Sequence, residues 1–343
     1  MFARPLFGAL GLGLEKAYFG AGILRRAVIR PKRVDACVLS VGNLVFGGSG
    51  KTPLVGFLAR FLKERGEAVG VVLKGYKGKR GQDPLIVSDG ENLLAGVEES
   101  GDEAFALALR LPGVPVVVGK NRLHAALVLT ERFSPGWVLL DDGFSQPYLT
   151  KDLEFVLLTG EEFGRKIAGI GLKSLLREPI GALKRAHALI VPEGLPLKGQ
   201  EAIEAFVANE GIAAPILRLV RSPRALLDLV TGKELPLDAV QGKKIAGLAG
   251  IARPERFFCL LDGLYGPIAG RLAFKDHAPY TTKRVRRLME AVKGASMVCT
   301  FKDYVKLVAF RASFSEKDVL ALMEDVRLEP KETFERLLFG GKD

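Results

Sequence analysis

Residues 39–62 read as a buried strand, a glycine-rich loop and a helix, in that order. The apolar run Leu39-Ser40-Val41-Gly42 passes into Asn43-Leu44-Val45-Phe46-Gly47-Gly48-Ser49-Gly50-Lys51-Thr52, and an amphipathic pattern follows over 54–64. Glycines let successive backbone N–H groups curl around an anion, and the N-terminus of the following helix adds a favourable potential. The loop therefore has the form of a Walker A motif, with Val45 standing where the strict pattern has glycine. Lys51 is expected to reach the β- and γ-phosphates of ATP and Thr52 to ligate magnesium, with Asn43, Gly47, Gly48, Ser49 and Gly50 lining the nucleotide.

The surrounding sequence supplies the sheet that such a loop needs. Near-continuous apolar runs at 36–42, 68–74, 114–119, 137–141, 154–159 and 188–192 alternate with helical patterns at 54–64 and 101–109. Runs apolar at every position are buried on both faces, which means a parallel sheet covered by helices. The expected fold class is α/β, with a P-loop NTPase-type parallel sheet domain over 1–212. Prolines and glycines loosen the pattern over 213–241, which reads as an extended linker. Alternation resumes at 244–250, 253–264, 268–275, 281–292 and 297–301, so a second, smaller α/β domain over 242–343 is expected to close over the site. At 343 residues the chain suits two cores.

A P-loop needs an acidic partner for its metal, usually where an apolar strand ends. Trp137-Val138-Leu139-Leu140-Asp141-Asp142-Gly143-Phe144 has that form, so Asp141 and Asp142 are expected to join Thr52 at magnesium. A polar turn after a strand would also account for Asp-Gly alone.

The net charge is +11, and much of it is local: residues 1–33 hold Arg4, Lys16, Arg25, Arg26, Arg30, Lys32 and Arg33 against Glu15 alone. The two apolar runs there, at 5–14 and 17–24, are shorter than the ~20 residues a bilayer-spanning helix needs. Phe7, Leu10, Leu14, Ala17, Ala21 and Leu24 recur at helical spacing beside arginines, which fits either an interfacial membrane helix or a helix packed on its own domain. A secretory signal is not expected, since no small-residue cleavage site follows the first run. Aromatic interleaving of the kind that stacks bases is sparse, so no nucleic-acid partner is expected. Cys37, Cys259 and Cys299 are odd in number, far apart and set in apolar stretches, which suggests reduced core thiols and a reducing compartment.

Taken together, these motifs resemble the tetraacyldisaccharide 4'-kinase family, the lipid A 4'-kinases. The resemblance rests on 41–44 with 47–53, Lys74-Gly75-Tyr76, Gly101-Asp102-Glu103, 114–122, Asp141-Asp142-Gly143-Phe144, Leu176-Arg177-Glu178-Pro179, 250–257, Asp276-His277 with Tyr280, and Thr300-Phe301-Lys302-Asp303. It implies transfer of the ATP γ-phosphate to the 4'-hydroxyl of a membrane-held, acylated glucosamine disaccharide 1-phosphate in lipid A biosynthesis. It also implies a peripheral position at an anionic membrane surface, on the cytoplasmic face of the inner membrane. The same resemblance matches Asp102 to the carboxylate that accepts the hydroxyl proton and His277 to its catalytic partner. Lys74, Tyr76, Arg122 and Arg177 are implied as substrate contacts, and Arg253, Arg256 and Lys302 are further basic groups for nucleotide or substrate phosphate. Read from the residues alone, Asp102 is a first-turn helix acid.

The chain departs from the family in three places. Ser145-Gln146-Pro147 replaces the usual Gln-His after Asp-Asp-Gly-Phe, Lys74 replaces arginine, and 169–174 lacks the usual Pro-Ala-Gly. A competing reading, a P-loop GTPase or ATPase switch in protein or metal delivery, needs a guanine-reading Asn-Lys-x-Asp motif. Thr300-Phe301-Lys302-Asp303 places its lysine one position late for that.

Overall fold

A computed structural model of the chain describes residues 28–45, 50–75, 83–160, 162, 176–276, 278–291, 294–315 and 319–340. The N-terminal stretch 1–27, with its amphipathic pattern, lies outside the described residues. Strands β1 (Cys37–Asn43), β2 (Val69–Leu73), β4 (Val116–Val118), β5 (Trp137–Asp141), β6 (Leu153–Leu157) and β7 (Ala188–Pro192) appear where the apolar runs placed them. They pair in parallel in the order β7-β6-β1-β5-β2-β4. A short strand β3 (Leu85–Ser88), not apparent from the sequence pattern, adds antiparallel to β4 at the edge.

Helix α1 (Lys51–Glu64) follows the glycine-rich loop and buries Leu54, Val55, Leu58, Ala59, Phe61 and Leu62. Spacings of three and four put these on one face, and they share a core with Leu39, Val71 and Leu139 of the sheet. Truncating one such buried leucine to alanine costs roughly 2–5 kcal/mol, so α1 is a firm platform for the residues at its N-terminus. Helices α2 (Asp102–Arg110) and α3 (Arg122–Phe133) cover the two faces beside β4, and α4 (Leu197–Asn209) follows β7.

The sheet does not end at β7. The segment 213–241, expected as an extended linker, contains strand β8 (Ile216–Asp228), parallel to β7 on one side and antiparallel to β13 (Val319–Glu329) on the other. A short strand β9 (Glu234–Leu235) also pairs with β8. Beyond β13 the order continues β12 (Ser296–Thr300), β10 (Ile245–Ala249) and β11 (Gly270–Ala273), all parallel. Two parallel blocks are thus joined by one antiparallel ladder into a single sheet, 13-stranded among the described residues.

Helices α5 (Pro254–Tyr265), α6 (Thr282–Ala291) and α7 (Phe301–Leu307) belong to the second block. The C-terminal helix α8 (Lys331–Phe339) returns to the first: Phe334 packs 4.7 Å from Phe61 and 5.7 Å from Phe57, and Phe339 meets Trp137 edge-on. Residues 331–339, grouped by sequence with the smaller unit, therefore brace α1 in the P-loop core. Cys299 is buried, whereas Cys259 is exposed, because its apolar stretch is an amphipathic helix that buries Phe257, Phe258 and Leu261 instead.

Candidate active site

Helix α1 begins directly on Gly50, whose φ of 86° is a left-handed conformation natural to glycine. A Cβ there would also fall 2.1 Å from Nη2 of Arg221. Among the described residues no side chain caps the helix and no acid lies in its first turn, so its N-terminal amides and dipole suit an anion. Lys51 donates from Nζ to Oδ1 of Asn43 at 3.0 Å, and Thr52 donates from its hydroxyl to Oδ2 of Asp141 at 2.9 Å.

Strand register explains the second contact. β1 and β5 are parallel neighbours with Val41 opposite Asp141, so the end of β5 lies beside the root of the loop. Asp141 is buried at 4% exposure, and its other oxygen, Oδ1, has no hydrogen-bond partner among the described residues. Burial, reinforced by the charge of Glu103, pushes its carboxyl up to about 7 despite Lys51 nearby. An orphaned, buried carboxylate oxygen next to a threonine hydroxyl is a hard-oxygen donor set of the kind magnesium takes, completed in such sites by phosphate oxygens.

Asp142 turns the other way. Its φ of 57° reverses the chain and presents its carboxylate to Arg177 (2.5 Å), Lys51 (3.3 Å) and Arg122 (3.7 Å). Arg122 also donates to the Asp142 carbonyl at 2.9 Å. Burial pulls the Asp142 carboxyl upward, but Lys51 and Arg177, followed by Arg122, outweigh it and hold it below the usual carboxylate range.

These groups open into a cavity of about 2280 Å³, lined among others by Thr52, Lys74, Glu103, Asp141, Arg177 and Lys302. That volume exceeds the roughly 300–1,000 Å³ of an ordinary small-molecule pocket, leaving space for a nucleotide and a second substrate together. Glu103 lines the cavity wall; with Asp102 it forms the first turn of α2, where the two acids face Lys302 and Lys306 of α7. Lys306 lies 3.0 Å from Asp102 Oδ2, and Lys302 lies 2.7 Å from Asp276 and 3.8 Å from Glu103.

Of the expected site residues, Asn43, Gly50, Lys51, Thr52, Asp141, Asp142, Arg122 and Arg177 thus converge at the carboxyl ends of β1 and β5. Lys74 is exposed at the end of β2 on the cavity wall, and Asp102 lies in the first turn of α2 beside the wall residue Glu103. Gly47, Gly48, Ser49, Tyr76 and His277 lie outside the described residues. Sequence reading missed Glu103 as a cavity acid and Lys306 as the partner of Asp102. The Gly101-Asp102-Glu103 motif held the signal for the first; a lysine four residues after Lys302 was the only one for the second.

Residues 14–340 match the LpxK family, described as tetraacyldisaccharide-1-P 4'-kinase. A tetraacyldisaccharide 4'-kinase of Geobacter metallireducens is 38% identical over 87% of this chain and 85% of its own length. One of Syntrophus aciditrophicus is 32% identical over 97% of this chain and 90% of its own. Among solved structures, the "apo" form of LpxK from Aquifex aeolicus in complex with ATP is similar at a TM-score of 0.75 and 29% identity, covering 96% of this chain and 97% of that one. The loop at Lys51, the acid at Asp141 and the near full-length match agree, and this chain belongs to the tetraacyldisaccharide 4'-kinase family.

Proposed function

We propose that this protein transfers the γ-phosphate of ATP to the 4'-hydroxyl of a tetraacyldisaccharide 1-phosphate, and that it does so with magnesium at the cytoplasmic face of the inner membrane. The observation that carries the reading is the Thr52 hydroxyl held 2.9 Å from the buried Asp141 carboxylate beside Lys51, under a cavity roomy enough for two substrates. Thr52 and Asp141 would hold the magnesium ion, which supplies charge neutralisation on the phosphates when bound. Asp142 keeps Lys51, Arg177 and Arg122 together as a cationic wall, so the two neighbouring acids divide the work.

Phosphoryl transfer asks the protein mainly for positioning and electrostatic compensation. Lys51 and the N-terminus of α1 compensate the triphosphate, and Arg177, Arg122 and Lys74 are suited to anionic groups of nucleotide or acceptor. Asp102 takes the proton from the acceptor hydroxyl and His277 orients that carboxylate, so one residue from 1–212 and one from 242–343 complete the site as the two parts close. Among the described residues no helix is long and apolar enough to cross a membrane. The basic, apolar stretch 1–33 is the part suited to an anionic lipid surface, where the substrate resides.

The test is ADP release in detergent micelles, with the tetraacyldisaccharide 1-phosphate and with its 4'-deoxy analogue. Release that needs the acceptor and vanishes with the analogue is expected. ADP release indifferent to either lipid would favour an ATPase switch and sink the reading.

A further inference from the structure

Two lysines one turn apart on α7 bridge the same two segments. Lys302 reaches Asp276 Oδ1 at 2.7 Å and Glu103 Oε1 at 3.8 Å; Lys306 reaches Asp102 Oδ2 at 3.0 Å and the carbonyl of Ala278 at 3.5 Å. Each therefore ties the first turn of α2 to the chain on one side of position 277.

The two bridges are not equally wet. The Lys306 side chain is 8% exposed and Asp102 17%, against 19% and 43% for Lys302 and Glu103. A solvated surface pair contributes little, whereas an ammonium and a carboxylate held this far from water interact through a lower effective dielectric and so more strongly. The Lys306 ammonium also stands 6.0 Å from the centre of the Tyr280 ring, at the outer reach of a cation–π contact.

Helix α7 is itself anchored. Thr300 caps it by accepting from the Asp303 amide, and the fully buried Asp303 carboxylate accepts from the Gly250 amide (2.8 Å), the Thr300 hydroxyl (2.6 Å) and the Tyr280 hydroxyl (2.9 Å). Packing of α2 against α7, with Arg110 over the Phe301 ring at 4.9 Å, fixes the distance the lysines span. Such an arrangement sets a carboxylate's place and direction; it does not merely neutralise it.

We propose that Lys306 is a positioning residue for phosphoryl transfer, holding the Asp102 carboxylate next to the cavity-wall residue Glu103, with Lys302 as the second bridge between the same segments. The inference rests on the reading of Asp102 as the group that takes the hydroxyl proton. Lys306 touches neither nucleotide nor acceptor in this scheme and acts through Asp102.

The experiment compares Lys306→Met, Lys306→Arg, Lys306→Ala and Asp102→Asn in the full-length enzyme, with ATP and the tetraacyldisaccharide 1-phosphate. Lys306→Met keeps the aliphatic stem and removes the charge, and kcat is expected to fall about 100-fold, the scale of a 1 Å misplacement, with KM for ATP within about twofold of wild type. Lys306→Arg is expected to retain more activity than Met. Ethylammonium should restore part of the Lys306→Ala rate, whereas tetramethylammonium, which has no N–H to donate, should not. Asp102→Asn should be inactive, and the Asp102→Asn, Lys306→Met double variant no worse than Asp102→Asn alone. An inactive Asp102→Asn beside a Lys306→Met enzyme of near-normal kcat would overturn the proposal and leave the Asp102 reading standing. Near-normal Asp102→Asn would overturn both. Equal losses in Met and Arg, a loss confined to KM for ATP, or a folded Lys306→Ala that ethylammonium does not repair would each show a structural contact only. Should Lys306→Ala fail to fold, the comparison of Met with Arg decides.

Discussion

Asp141 and Asp142 are adjacent in the chain and sit in opposite electrostatic surroundings. Asp141 ends β5 inside the sheet, where Thr52 satisfies one oxygen and no described residue satisfies the other. Asp142, turned outward by a positive φ, is gripped by Arg177 and Lys51. Burial drives the first carboxyl up to about 7, and the cations hold the second below its usual range.

This difference has a pH signature in the protein free of nucleotide and metal. The folded state holds the Asp141 proton more tightly than the unfolded chain, where the value is 3.8. Its contribution is thus fully present below about pH 4 and is lost as pH rises through about 7. At about 1.4 kcal/mol per pH unit, the loss is on the order of a few kcal/mol. Asp141→Asn should remove that decline and unfold at higher temperature than wild type at pH ~8, while losing magnesium-dependent transfer. Thermal unfolding across pH checks it; parallel curves for the two proteins would mean that Asp141 is not the buried acid described.

Gly42 lies under the turn that carries both acids. A Cβ there would meet Phe144 Cβ at 2.3 Å and the Phe144 amide nitrogen at 2.8 Å, both too close to absorb without moving the loop after β5. Gly42→Ala is expected to destabilise by about 1–3 kcal/mol, as overpacked cores do, and to lower kcat through the displaced carboxylates. A variant with wild-type unfolding temperature and activity would contradict the tight approach.

Asp102 and His277 are expected to act as a unit. Asp102→Ala and His277→Ala should each lower kcat strongly with ATP affinity nearly intact, and the double variant should lose far less than the product of the single losses. Independent multiplicative losses would separate the two residues, and effects confined to KM would move both to substrate binding.

Deletion of residues 1–24 should weaken association with anionic vesicles more than it weakens ATP binding, and high salt should mimic part of the loss. Equal vesicle binding by full-length and truncated protein would assign the segment to packing instead.

Local chemistry made the P-loop half readable in advance. Near-continuous apolar runs gave away β1, β5 and their neighbours, and an aspartate at the end of such a strand could be seen at Asp141. What eluded sequence reading depends on contacts between distant segments. The ladder of β8 with β13, which merges two parallel blocks into one sheet, pairs stretches far apart in the chain, and no local periodicity encodes a partner. Only the turn at Asp142 decides which of two adjacent acids meets the cations. Lys306 carries no mark of burial, because its role depends on α7 packing against α2.

The central claim is tested most directly by following labelled phosphate from [γ-³²P]ATP, with magnesium and the tetraacyldisaccharide 1-phosphate, in wild type and Lys51→Ala. Label should appear on the lipid at the 4' position with the 1-phosphate retained, and the variant should lose at least about 100-fold in rate, as removal of a charge-stabilising donor does. Label found only as inorganic phosphate, or a Lys51→Ala enzyme of near-normal turnover at saturating ATP, would contradict the account.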